Sequence, residues 1–255
     1  MKKEIFTIEN NTFYNNFFYE IEEFKNSLYK EINHAYINDK LFKYFFKEEE
    51  LEVLILFNKF FFQHLTCFFE MIKNRMAMPA FNELRSGIEC LRMYRVFYND
   101  KEFRKKYIQN QNWNFDSMPD YEFKQSKIIK ILEDREKEIR KQEKIPLTTE
   151  LHNHDLTKGG VVSRLHSELS KFSHLLNVNL ILPLYTEKNR IYLDIKDEYN
   201  ERIQYVIRKY TEASFILLET HLQTFVNCNF SKETEEMFEN LLDEYSKFIK
   251  LAYKK

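Results

Sequence analysis

Glycine and proline are nearly missing from this chain: 3 and 4 respectively in 255 residues. Sheet-rich proteins need turn residues at short intervals, so the shortage excludes most β architectures and favours long helices joined by few loops. Cysteine is scarce and odd in number, at Cys67, Cys90 and Cys228. That excludes a disulfide scaffold and reads as reduced thiols buried inside helices of a cytoplasmic protein. A dominant charge is also missing, with 39 basic against 40 acidic side chains. Nonspecific nucleic-acid binders carry a basic excess that is not found here, although a local basic patch is compatible with the balance. The first residues, "MKKEIFTIENNTFYNN", lack the apolar core of a signal peptide. The greasiest stretch, "LEVLILFNKFFFQHLTCFFEMI", is interrupted by Glu52, Asn58, Lys59, Gln63 and His64. It therefore reads as a core helix, and no membrane partner is expected.

Aromatic mass is plentiful: 25 Phe and 16 Tyr predict a bulky aromatic core. Helical spacing of Tyr14, Phe17, Phe18, Ile21, Phe24, Leu28 and Ile32 predicts a first helix over roughly 12–36. A second, apolar nearly all round, covers Glu48 to Arg75, and Pro79 opens a third that reaches about Tyr98. "DKEFRKKYIQNQ" continues it or forms a short helix, and "NWNFDSMPD", with Trp113, is a loop. A fourth helix starts near Asp120 and ends in "EDREKEIRKQEK", which suits a solvated, projecting segment laced with i,i+4 pairs. A long loop follows near 145–160, then a helix over 161–176. Two apolar runs flanking "TEKN" predict a small β-hairpin insert near 179–195. Helices over about 197–228 and after Ser231 complete the chain. The expectation is one all-α domain spanning 1–255, a helical bundle of about six or seven helices.

Two of these helices carry an unusual polar stripe. Around 161–176, Leu165, Leu169, Phe172 and Leu176 form the core side, and Arg164, Glu168 and Lys171 a solvated side. The remaining sector holds Ser163, His166, Ser167, Ser170 and His174, with His166, Ser170 and His174 stacked four apart. The third helix is apolar or small almost all round, yet Arg85, Glu89 and Arg92 draw an ionic line down it. Buried charge is costly unless paired, so the two polar edges are expected to meet. Arg85 and Glu89 would contact Ser170 and His174, with Arg92 and His166 near the ends. The bland version of that contact is a network that fixes helix register. The functional version is a cleft for an anionic or nucleotide-like ligand, with His174 placed for proton transfer.

Other patterns are weaker. Glu31 and His34 are one i,i+3 pair where a di-iron bundle needs two such pairs and two further Glu residues. "LHNHD" offers His152, His154 and Asp155 as metal ligands but reads first as a solvated polar turn. His64 and His221 lie on apolar faces and read as core histidines with one hydrogen bond each. "TKGG", before the 161–176 helix, offers backbone donors and Lys158 to a phosphate but lacks the rest of a P-loop. No metal and no cofactor are expected.

"LRSGIECLRMYRVFYND" followed far downstream by "ELSKFSH" resembles bacterial helical proteins in which an Arg-x-x-x-Glu helix faces a Ser-x-x-x-His helix. These are distantly similar to the HEPN superfamily, helical bundles that include metal-independent ribonucleases of toxin and phage-defence systems. The resemblance covers about the central two-thirds of the chain and rests on Arg85, Glu89, Ser170 and His174. It implies a helical bundle, RNA as substrate, His174 as acid or base, and Arg85 against phosphate charge. The family's nuclease motif, Arg followed after four to six residues by His, is not spelled here: nine residues separate Arg164 from His174. The reading that follows is a cytoplasmic binding or interaction protein, self-associating through an aromatic helix face. A HEPN-like ribonuclease and a helical metal-binding protein are its alternatives.

Overall fold

The apolar stripe that predicts the first helix forms it, as α1 (Asn11–Asn38), with Phe17, Phe18, Ile21, Phe24, Leu28 and Ile32 all buried. The computed structural model describes residues 2–109, 124–144, 156–157, 159–173, 184, 186–187, 190–191, 199–225, 228 and 230–252. Among these residues there are nine α-helices, so the protein is all-helical. After α1 come α2 (Lys40–Phe45), α3 (Glu48–Lys73), α4 (Ala77–Asn99), α5 (Lys101–Gln109) and α6 (Gln125–Glu143). They are followed by α7 (Val161–Ser173), α8 (Glu201–Leu222) and α9 (Lys232–Ala252). The count exceeds the expected six or seven because α2 is a six-residue helix too short to show a period. The polar "DKEFRKKYIQNQ" also stands apart as α5.

Helix ends follow local chemistry. The Glu50 carboxylate reaches back to the Lys47 amide at 2.9 Å, half of a capping box, and Glu48 and Glu49 also favour the positive end of α3. The Asn200 side chain accepts from Ile203 N at 3.0 Å to start α8. Ser231 Oγ accepts from Thr234 N at 3.4 Å before α9, as its hydroxyl predicts. Between α3 and α4 the chain reverses in three residues. Arg75 takes a left-handed φ of 62°, and Met76 N donates back to Met71 O at 2.9 Å, a Schellman closure. Pro79 lies within the first turn of α4, where its missing N–H leaves no helical carbonyl unpaired.

Helix α4 is central, packing on α3, α5, α6, α7 and α8, while α1 packs on α3, α8 and α9. Phe rings fill the spaces: Phe18 meets Phe69 edge-on at 4.9 Å, and Phe17 meets Phe248 at 4.8 Å. Of the expected hairpin near 179–195, the described residues carry only a two-residue antiparallel pairing, Thr186–Glu187 with Arg190–Ile191. Apart from Leu184, the rest of that stretch, the loop at 145–155 and Trp113 lie outside the described residues. Helix α3 is long and apolar enough to cross a membrane by composition, and 44% of its apolar window is buried inside the fold. The cysteine expectation needs correction: Cys90 and Cys228 are half-buried, Cys228 in a bend beyond α8 rather than in a helix, and Cys67 is exposed on α3.

Candidate functional site

The ionic line on α4 and the His/Ser stripe on α7 do meet, at one point. His166 Nε2 lies 2.9 Å from Glu89 Oε1, donating to the carboxylate across a gap of 77 residues in sequence. Arg85 Nε donates to the same oxygen at 3.2 Å, and its Nη2 lies 3.1 Å away. Glu89 therefore sits between a guanidinium and an imidazole, with its side chain 28% exposed. Burial pushes its carboxyl up, but the bond from His166 and the charge of Arg85 outweigh that and hold it below the usual carboxylate range. Gln125 of α6 donates to the Glu89 backbone carbonyl at 3.4 Å, so three helices converge here.

Three expected partners behave differently. Ser170 does not bridge to α4; its hydroxyl donates to His166 O one turn back, at 2.8 Å, because a helical serine reaches that carbonyl more easily than a neighbouring helix. Arg92 does not join His166. It is fully buried, and its Nε donates to Leu156 O at 3.3 Å. Among the described residues, neither Nη1 nor Nη2 of Arg92 has a hydrogen-bond partner. Burial pulls this guanidinium down to about 10, against the pull of Glu89. His174 lies outside the described residues.

A second polar centre, deeper and not anticipated, lies on the same helix. Arg95 is three residues beyond Arg92 and equally enclosed, with Nη2 donating to Thr220 O of α8. Beside it His221 is fully buried, its Nε2 2.7 Å from Asn58 Oδ1 and its Nδ1 without a partner among the described residues. Burial, and secondarily Arg95, hold His221 well below its ordinary pKa, so it is neutral. The Tyr36 and Tyr94 hydroxyls bond each other nearby. Extending the arginine line from Arg92 to Arg95 was the signal available for this centre; His221 itself is the core histidine the sequence suggests.

His64, read as a core residue, is instead at a partly exposed position with Nδ1 2.7 Å from Glu83 Oε2. Glu31 serves α9, accepting from Ser231 N and Thr234 Oγ1, both at 3.4 Å. Among the described residues no group of His, Cys, Asp and Glu could hold a metal ion. His152, His154, Asp155 and Lys158 lie outside the described residues. Comparison with protein-family models, with curated proteins and with solved structures finds no match. What fold and site define is therefore a class only: an all-α bundle with a polar seam between α4 and α7.

Proposed function

We propose that this protein is a binding module whose α4–α7 seam recognises a phosphate-bearing, nucleotide-like ligand, single-stranded RNA included. The observation that carries it is the partly exposed Arg85–Glu89–His166 cluster. Glu89 occupies one edge of the Arg85 guanidinium, and a guanidinium has five donors, so others remain for an oxyanion. His166 spends one ring nitrogen on Glu89 and keeps the second. Seam chemistry of this kind favours anions with acceptor oxygens over apolar ligands. A cytoplasmic location, a bacterial stress or defence setting and the distant HEPN likeness belong to the same proposal. So does reading the 186–191 pairing as the tip of a small hairpin insert.

The test is fluorescence anisotropy with labelled single-stranded RNA and with an ATP analogue, across a salt series. Binding that weakens with salt and falls about tenfold in Arg85→Ala and His166→Ala is expected. Absence of binding at low salt overturns the proposal. A ribonuclease is the second reading, favoured by one feature: a carboxylate orients the His166 imidazole, as in acid–base sites. In that version His166 replaces His174 as the proton-transfer group. RNA recovered intact after long incubation at high protein concentration removes it.

A further inference from the structure

Arg92 and the start of α7 form an electrostatically one-sided pair. Phe81 meets Phe172 with ring centroids 5.7 Å apart, and Glu89 meets His166, so α4 and α7 run antiparallel. Three residues on from Glu89, about 4.5 Å of helix, bring Arg92 level with Ser163 in the first turn of α7. The bond from Arg92 Nε to Leu156 O, five residues before Val161, places the guanidinium at the same end. First-turn amides have no carbonyl within their own helix, and the dipole makes that end positive. No acidic residue lies in this turn. A buried guanidinium with two nitrogens unpartnered among the described residues thus stands at the positive end of a thirteen-residue helix. Glu89, whose charge acts on Arg92, is already engaged by Arg85 and His166. Two positive features packed together repel unless something negative lies between them.

We propose that Arg92 and the first turn of α7 bind a phosphate-class oxyanion, either free phosphate or the phosphate of a nucleotide. The planar fork of Nη1 and Nη2 suits two oxygens of such an anion, and the helix amides suit a third. Gly159 and Val161 beside this turn are exposed while Val162 and Arg92 are buried, so an anion that reaches the guanidinium has to enter past the first turn of α7. This deepens the seam reading and rests on it for the identity of the larger ligand, but not for phosphate itself.

The test uses the full chain with inorganic phosphate, then AMP, followed by calorimetry and by phosphorus NMR line width. Wild type binds both; Arg92→Met, which keeps volume and removes the charge, weakens phosphate about tenfold or more. Val161→Glu places a carboxylate at the exposed end of the same turn and weakens phosphate without touching the core, so a folding failure of Arg92→Met leaves a second readout. Wild type indifferent to both phosphate and AMP, or both variants binding them as wild type does, overturns the proposal. AMP binding without phosphate binding separates the two sources and overturns the subsite as a free-phosphate site. RNA binding that needs Arg85 and His166, with phosphate and AMP binding unchanged in Arg92→Met, sinks this inference and leaves the seam reading standing. Phosphate binding lost in Arg92→Met with no RNA binding at all does the reverse.

Discussion

Individual buried residues set the pH response. His221 is neutral in the folded chain because burial holds its pKa well below 6.5. In the unfolded chain it takes a proton near that value, so folding excludes a proton as pH falls. Stability from this residue is therefore present above about pH 6.5 and is lost below it. Chemical denaturation at about pH 7.5 and 5.5 should show the loss, and His221→Gln should flatten the slope between them. Glu89 acts at lower pH. Its folded pKa is depressed, so its contribution is present above the ordinary carboxylate value of 4.5 and disappears as pH falls through the folded value. Arg85, Glu89 and His166 were legible as residues because their types are odd for helices otherwise so apolar. Their pairing partners were less so. Ser170 bonds its own helix and Arg92 turns to a loop carbonyl, choices set by side-chain reach and local backbone that a helical wheel does not encode.

Helices, taken one at a time, were largely readable from period. α1, α3, α4, α8 and α9 follow apolar stripes long enough for the 3.6-residue repeat to dominate. α2 was not, since six residues give under two turns. The charged end of α6 projects less than its composition predicts: Glu136 and Arg140 form the expected i,i+4 pair, at 2.6 Å, but their side chains are only about a tenth exposed. His166 is the polar tie between α7 and α4, so His166→Ala should cost about 1 kcal/mol in denaturant unfolding. Glu89 keeps Arg85 in that variant, which limits the loss. Gly87 of α4 faces α3, where an added Cβ would lie 3.6 Å from His64 Cβ, an ordinary contact. Gly87→Ala should therefore fit, and improved helix propensity should raise stability by up to about 1 kcal/mol. A destabilised variant would show that α3 and α4 tolerate no added carbon.

For the molecule as a whole, we propose self-association through an exposed aromatic corner. Ile37 at the end of α1 and Tyr44 and Phe45 on α2 are exposed, at 62%, 82% and 65%. The two rings touch edge-on at 5.2 Å, making a compact apolar corner. Light scattering over a concentration series should show a dimer, and Phe45→Glu should return it to monomer. A concentration-independent monomer in the wild type would end that idea. All-helical class was evident from composition alone, because nine helices among the described residues need few turns. The α3–α4 closure also orders events in time. Its two helices are joined by three residues and bury their contacts at short sequence separation, so they can zip together before the rest of the chain arrives. α7 must instead wait for a loop of more than sixty residues to close. Kinetic analysis should find refolding slowed by truncation of Leu65 or Leu84, whereas His166→Ala should act mainly by hastening unfolding.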